Sequence, residues 1–151
     1  MNATNLLRQD HTELRNFYTQ FDKNTDVNKA RDLFDKIAMM IEWHTTIEED
    51  VFYPEVEKMP GLKDLVVEAR KEHGTVKGLL RELRGMKGTD TNFKTKFNTM
   101  WTGLEHHLDE EEREMFPKFE KACAKDQQDL IGKRLDDRRN QVRQRKATVP
   151  V

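Results

Sequence analysis

Residues 44–54 read HTTIEEDVFYP, and residues 107–117 read HLDEEEREMFP. Both stretches begin with histidine, carry glutamate four residues later and end in proline. A second pair of segments, RQDH at 8–11 and RKEH at 70–73, is similar in the same way. The offset is 62 residues from His11 to His73 and 63 from His44 to His107. The chain therefore contains an internal repeat, in which two halves carry equivalent histidines.

Apolar side chains recur at intervals of three and four residues around these motifs, as on one face of an amphipathic helix. Four such stripes span residues 7–21, 33–51, 62–83 and 93–115. Turn-forming residues separate them at 24–26, 59–61 and 85–90. No segment shows the two-residue alternation of a strand. The pattern predicts an all-α fold, an antiparallel up-down-up-down four-helix bundle, with one additional C-terminal helix.

The additional helix is predicted from about residue 125 to residue 146. We expect the bundle to occupy residues 1–124, and the charged helix and tail, residues 125–151, to pack on the bundle or extend from it. Residues 133–146 contain seven Lys or Arg against two Asp. This is typical of a solvated helix, and no aromatic residues are interleaved that could stack on bases. We therefore expect no nucleic-acid partner.

Composition excludes several classes of protein. The longest apolar run, residues 37–41, is too short to cross a bilayer, and no secretory signal is recognisable at the start. Lys and Arg total 27 against 28 Asp and Glu, so the charge balance favours neither membranes nor nucleic acid. A single cysteine, Cys123, cannot form an internal disulfide. We expect a cytoplasmic protein, monomeric or weakly homo-oligomeric, whose partners are small molecules.

Four histidines, one on each apolar stripe, are expected at one height in the bundle. In an antiparallel hairpin, residues at the same height lie equally far from the turn. The midpoints between successive histidines fall at 27.5, 58.5 and 90, within or beside the predicted turns. A two-residue error in a turn changes the height by only ~3 Å. The four histidines that should converge are His11, His44, His73 and His107.

Glu48 and Glu111 follow His44 and His107 by four residues, so they share the inward helix face. A buried carboxylate is costly unless it is paired or bound to a metal. The set of four imidazoles and two carboxylates exceeds the four ligands of a structural zinc site. Nitrogen and oxygen ligands without sulfur favour a pair of iron or manganese ions over zinc.

His106 is an alternative ligand, because Glu110 follows it by the same four residues. The repeat favours His107. His107 and Pro117 are ten residues apart, as are His44 and Pro54, whereas His106 corresponds to Trp43.

The spaced set His11, His44 with Glu48, His73, and His107 with Glu111 resembles the hemerythrin-like (HHE cation-binding) family over about residues 4–120. The resemblance implies a four-helix bundle that holds a non-haem di-iron centre. One iron would lie on the His11 and His44 side and the other on the His73 and His107 side. Both glutamates would bridge the irons, together with an oxo or hydroxo group.

The sequence departs from the oxygen-carrying hemerythrins at Lys77, where those proteins have a further histidine. A ligand is therefore missing or replaced. Tyr53 is a candidate for the replacement ligand, since it breaks the repeat: the equivalent residue in the second half is Phe116. The alternative is that Tyr53 is an ordinary core tyrosine. Glu49 and Glu112 also repeat, and they either lie on solvated faces or hold the outer nitrogens of the imidazoles.

The resemblance implies chemistry on small oxidants, most simply the disproportionation of hydrogen peroxide or reaction with nitric oxide or dioxygen. Reversible dioxygen binding and iron or oxygen sensing are the alternatives, and Lys77 disfavours the first of these. No residue can be assigned as a general acid or base, so whether the chain is an enzyme stays open.

Overall fold

The computed structural model of this chain describes residues 1–148, with side chains as far as residue 145. Within that range every regular secondary-structure element is a helix, so the predicted all-α class is confirmed. The last residues of the predicted tail, 149–151, lie outside the described residues. The helical elements are α1 (Ala3–Lys23), α2 (Val27–Ile47), π1 (Glu48–Phe52), α3 (Tyr53–Val56), α4 (Lys63–Arg84), α5 (Phe93–Glu110), π2 (Glu111–Met115), α6 (Phe116–Ala122) and α7 (Lys125–Thr148).

These elements form four rods and one further helix. Elements α2, π1 and α3 run on without a break as the second rod, and α5, π2 and α6 form the fourth rod in the same way. Helix α1 packs against α2, and α4 packs against α5. Short connections at 24–26, 57–62 and 85–92 reverse the chain between rods. The predicted four-helix bundle with a C-terminal helix is therefore confirmed.

The helix starts follow from local chemistry. The side chain of Asn2 accepts a hydrogen bond from the backbone N–H of Asn5, and Asp26 does the same for Asn28. Each satisfies a donor that the first turn of the helix leaves free. Gly61, in the turn before α4, has φ of 77°, a conformation that glycine adopts without steric cost.

The two π-helical segments begin at the two repeated glutamates. The N–H of Tyr53 donates to the carbonyl of Glu48, and the N–H of Phe116 donates to that of Glu111. Pro54 and Pro117 stand two residues after the ends of these segments. Because proline has no N–H and its ring crowds the preceding turn, a widened turn is a natural accommodation. The local irregularity is therefore part of the repeat.

The bundle has two apolar clusters, one towards each end. One cluster includes Leu14, Phe34, Ile37 and Phe97, and the other includes Leu7, Phe52, Val56 and Phe119. The buried histidines and glutamates belong to neither cluster. The core is thus apolar at both ends and polar at the level of the histidines.

Helix α7 packs on the bundle, against α1, α2 and π1. Its buried side chains Ile131, Leu135 and Val142 join the two apolar clusters, whereas Leu130 is half exposed. Gly132 allows the close approach, because a Cβ there would lie under 3.0 Å from backbone atoms of residues 1–3. The division into residues 1–124 and 125–151 stays a prediction.

No helix among residues 1–148 combines the length and the apolar composition that crossing a bilayer requires.

Candidate metal centre

The six predicted ligands meet in the middle of the bundle. Each is at most 2% exposed. Ligand atoms of His11, His44, Glu48 and Glu111 all lie within 4.8 Å of one another, and so do those of Glu48, His73 and His107. We call His11 with His44 the first half-site and His73 with His107 the second half-site. Glu48 belongs to both groups, so the two half-sites are adjacent.

Each glutamate contacts histidines of both half-sites. Glu48 Oε1 lies 3.3 Å from His44 Nε2 and 3.1 Å from His73 Nε2. Glu111 Oε1 lies 3.3 Å from His11 Nε2 and 3.4 Å from His107 Nε2. Carboxylates placed between two sets of imidazoles in this way are suited to bridging two cations.

Several of these inward atoms have no hydrogen bond within the described part of the chain. They are Nε2 of His11, Nε2 of His44, Oε2 of Glu48 and Oε1 of Glu111. Buried polar atoms are normally hydrogen-bonded, and leaving one without a partner costs about 1–3 kcal/mol. Four such atoms at one level fit a bound cation, for which imidazole and carboxylate are good ligands.

The outer nitrogen of every imidazole contacts a carboxylate. The Nδ1 distances are 2.7 Å from His11 to Glu112, 2.9 Å from His44 to Asp10, 2.9 Å from His73 to Glu49 and 2.8 Å from His107 to Glu72. Because an ionised carboxylate only accepts, each Nδ1 carries the proton. Nε2 of a neutral imidazole is then free to bind a metal, and the ring is held in orientation.

Two of these carboxylates had this role as one of two predicted alternatives, and the other two were missed. Glu49 and Glu112 follow the bridging glutamates and repeat at the same offset. Asp10 and Glu72 each precede a histidine, in the segments RQDH and RKEH. That repeated acidic position was the signal that could have identified them.

Tyr53 is fully buried among the ligands. Its hydroxyl donates to Glu111 Oε2 at 2.7 Å and lies 3.0 Å from His73 Nε2. The same oxygen lies 3.3 Å from both Glu48 Oε1 and His107 Nε2. The phenol thus faces the second half-site. In the first half-site, its counterpart Phe116 stacks on His11 with the ring centroids 5.6 Å apart.

His106 lies outside the centre. Its side chain is 64% exposed and pairs with Glu110 at 3.1 Å. His107, in contrast, is buried with Nε2 only 3.1 Å from His73 Nε2.

Comparison with known proteins identifies the family. The model of the hemerythrin HHE cation-binding domain matches residues 2–119. The chain belongs to the hemerythrin HHE family. A crystal structure of a hemerythrin HHE cation-binding domain-containing protein from Mycobacterium kansasii matches with a TM-score of 0.84 and 26% identity, over 95% of this chain and 88% of that one.

Two curated relatives extend beyond the matched region. An uncharacterized hemerythrin-like protein of Schizosaccharomyces pombe is 29% identical over 121 residues, 79% of this chain and 60% of that protein. A Nostoc protein named DNA nickase is 23% identical over 145 residues, 96% of this chain and 41% of that protein. This hemerythrin-family chain therefore spans only part of the length of either relative.

Lys77, which stands where hemerythrin oxygen carriers have a further histidine, is directed to Glu49. Its Nζ donates to Glu49 Oε2 at 2.7 Å. The equivalent residue in the first repeat is Arg15, whose Nη1 donates to Glu112 at the same distance of 2.7 Å. Lys77 and Arg15 therefore support the carboxylates that hold the imidazoles. Lys77 does not take the place of the further histidine in the centre, where the phenol of Tyr53 lies instead.

In the metal-free centre, the histidines and the glutamates stabilise each other's charges. Burial opposes charging of His44, yet Glu48 and the hydrogen bond to Asp10 raise its pKa to about 9. Burial also favours a protonated Glu48, but His44 and the hydrogen bonds from His107 and His73 hold its pKa well below the usual range. Without metal, protons on the histidines thus compensate the glutamates. Cations that bind must displace them.

The pKa values of the outer carboxylate Glu49 and of the Tyr53 phenol are shifted in opposite directions. The hydrogen bond from His73 is the largest cause that lowers the pKa of Glu49, to about 2. Burial opposes this shift, and the hydrogen bond from Lys77 adds to it. Burial, followed by the charges of Glu111 and Glu48, raises the pKa of the Tyr53 phenol well above its ordinary value. Glu49 is therefore a permanent acceptor, and Tyr53 keeps its proton while the centre is metal-free.

Proposed function

We propose that this hemerythrin-family protein holds two iron ions and reacts with small oxidants, hydrogen peroxide first among them. The observation that carries the proposal is the position of Glu48 and Glu111 between the two half-sites, each in contact with histidines of both. A single-ion site would not need two such carboxylates. The ligands would be His11, His44, Glu48, His73, His107 and Glu111.

Iron suits this ligand set better than the alternatives. Among the described residues, the centre offers imidazole nitrogen, carboxylate oxygen and one phenol oxygen, and no cysteine belongs to it. Such sets favour iron or manganese over zinc, and a phenolate favours ferric iron. Two adjacent redox-active ions would together donate two electrons to one peroxide and accept two from another.

Burial of the centre restricts its substrates to small molecules. A cavity of about 60 Å³ adjoins the second half-site. It is lined by Leu65, Glu68, Ala69, Glu72, His107, Glu110, Glu111 and Met115. A cavity needs only about 10–15 Å³ on a comparable measure to hold one water, so this space suits molecules of the size of peroxide, dioxygen or nitric oxide.

Tyr53 and Lys77 together favour peroxide chemistry over reversible dioxygen carriage. Tyr53 would serve as an additional ligand of the second half-site, where a bound cation would release the phenol proton that Glu111 Oε2, 2.7 Å away, accepts in the metal-free chain as a hydrogen bond. A phenolate ligand stabilises the ferric state, whereas reversible carriage requires that ferrous iron be readily restored. Lys77 is hydrogen-bonded to Glu49 and does not compete with the phenol for this position.

The outer carboxylates keep the imidazoles in one tautomer during turnover. Each of the four Nδ1 atoms is held within 2.9 Å of a carboxylate oxygen. Such contacts fix the direction of Nε2 and increase its basicity. We infer that their role is to orient the ligands.

We propose that the basic surface of α7 serves contacts within the chain. Arg134, Arg138 and Arg139 pair with Glu55, Asp50 and Asp10 of the bundle. These pairs support the expectation of no nucleic-acid partner, although one relative is named DNA nickase. Titration with labelled DNA at low salt, where electrostatic binding is strongest, tests whether the chain binds nucleic acid.

We also propose a cytoplasmic location and a monomeric or weakly oligomeric state.

Oxygen evolution from added peroxide tests the proposed activity. The iron-loaded protein should convert two molecules of hydrogen peroxide into two of water and one of dioxygen, and His44→Ala should abolish this activity. A stable oxygenated spectrum that forms in air and reverses on degassing the ferrous protein would favour carriage and contradict the proposal.

A further inference from the structure

The two half-sites differ in what lies behind their outer carboxylates. Asp10 and Glu72 are equivalent in the repeat, and each binds the Nδ1 atom of one histidine, His44 or His107. Asp10 is 1% exposed. The Glu72 side chain, in contrast, is 16% exposed and lines the small surface cavity.

Asp10 is bound on its other oxygen by an arginine of α7. Arg139 Nη1 donates to Asp10 Oδ1 at 2.7 Å, while Asp10 Oδ2 lies 2.9 Å from His44 Nδ1. A continuous series of contacts thus runs from α7 to a residue of the first half-site. Hydrogen bonds between ionised groups are short and strong, and guanidinium keeps its charge at all physiological pH values.

Glu72, the equivalent carboxylate of the second half-site, has no such support. The nearest cationic partner of Glu72 is His106, with Nε2 3.8 Å from Glu72 Oε2 and a side chain that is 64% exposed. Among the described residues, no lysine or arginine forms an ion pair with Glu72. The symmetry of the repeat is therefore broken by α7, which covers one half-site only.

Arg139 is itself held in place. Its Nη2 donates to Asp136 Oδ1 at 3.1 Å, and its guanidinium carbon lies 5.6 Å from the ring centroid of Trp43, the residue that precedes His44. The helix that carries it is anchored by the buried Leu135 and by the close approach at Gly132. Arg139 is thus rigidly placed against both the ligand helix and Asp10.

We propose that Arg139 is a positioning residue of the metal centre, which acts through Asp10 on His44 and makes the covered first half-site release its ion more slowly than the second, which adjoins the surface cavity although Tyr53 would add a ligand there. The inference rests on the proposed pair of metal ions. It assigns to the C-terminal helix a role in metal retention, and it predicts that the two ions leave the protein at different rates.

The test is iron release to an excess of a strong ferric chelator, followed in the iron-loaded full-length chain. Release should show two phases of equal amplitude, of which the slow phase belongs to the first half-site. Arg139→Gln should accelerate the slow phase by up to about tenfold, because loss of a residue that contacts a metal ligand directly costs about 10–100-fold and Arg139 acts through Asp10. Its fast phase should not change.

Arg138→Gln is the matched control. Arg138 is on the same helix and pairs with Asp50 Oδ2 at 3.0 Å, so its loss removes one ion pair between α7 and the bundle without touching Asp10. It should release iron as the wild type does. Arg139→Lys retains the positive charge, so its slow phase should be slower than that of Arg139→Gln. A packing defect alone would not give this recovery.

Three results would overturn the inference. They are a single release phase in the wild type, equal acceleration in Arg139→Gln and Arg138→Gln, and acceleration of the fast phase alone in Arg139→Gln. Failure of the proposed function is distinguishable, because the wild type would then hold fewer than two iron ions before any chelator is added.

Discussion

The hydroxyl of Tyr53 donates a 2.7 Å hydrogen bond to Oε2 of Glu111 and thereby connects the two halves of the internal repeat. Tyr53 directly follows the π-helical segment of the second rod, and Glu111 begins that of the fourth rod. The π segments themselves begin at Glu48 and Glu111, so each also places a carboxylate in the same buried centre. This matches the frequent occurrence of π-helical turns at functional sites.

Tyr53→Phe tests whether the phenol is a ligand. The ring should still fit, because phenylalanine occupies the equivalent position 116. If Tyr53 binds ferric iron, the iron-loaded wild type should show a tyrosinate-to-iron charge-transfer band in the visible spectrum, and the variant should lose it.

Tyr18→Phe is the control for this spectrum, since Tyr18 is the only other tyrosine of the chain and bonds to Asn98, away from the centre. It should retain the band. A band that survives in Tyr53→Phe would remove Tyr53 from the ligand set.

His107→Ala and His106→Ala distinguish the two adjacent histidines. His107 is buried in the centre, whereas the side chain of His106 is 64% exposed. His107→Ala should lower the iron content of the purified protein to one ion per chain or less, as measured by elemental analysis. His106→Ala should keep the wild-type content; loss of metal in this variant instead would reverse the assignment.

Glu112→Gln tests the contribution of the outer carboxylates. Glu112 binds Nδ1 of His11 and is supported by Arg15. A glutamine can still contact the ring but removes the anionic acceptor, so the affinity for metal should fall by about 10–100-fold in a competition titration. Glu105→Gln is the control, because Glu105 also pairs with Arg15 but contacts none of the four histidines. Equal affinities in both variants would contradict this role.

The stability of the metal-free protein should depend on pH through His44. Its pKa is raised to about 9 in the folded chain, above the ordinary value of 6.5. The protonated form therefore contributes stability that is fully present below about pH 6.5 and is lost as pH rises through about 9. The melting temperature of chelator-treated protein should fall between these pH values.

The metal-loaded protein should show a smaller fall, since its histidines are neutral ligands at both ends of this range. The metal-free His44→Asn variant should also show a smaller fall. A melting temperature of the metal-free wild type that stays constant, or rises, from pH 6.5 to 9 would contradict the charge assignment.

Much of the centre could be predicted from sequence because helical geometry is regular. The i, i+4 spacing placed Glu48 beside His44, and the midpoints between histidines placed all four at one level. The repeat also favoured His107 over His106. These predictions depend only on period, turn position and duplication, all of which are visible in one sequence.

Contacts that depend on packing between helices could not be predicted in the same way. Asp10 lies one residue before His11, yet its carboxylate binds His44 on another helix, and no spacing rule gives that partner. Arg139 is 129 residues from Asp10 in the chain. Its contact follows only from how α7 docks, which a weakly patterned, highly charged helix does not reveal.

Metal content is the most direct test of the central claim, that two cations occupy a centre bridged by Glu48 and Glu111. Protein purified from iron-supplemented cells should contain two iron ions per chain, and His44→Ala should contain no more than one. A wild-type value well below two, or an unchanged value in His44→Ala, would contradict the account.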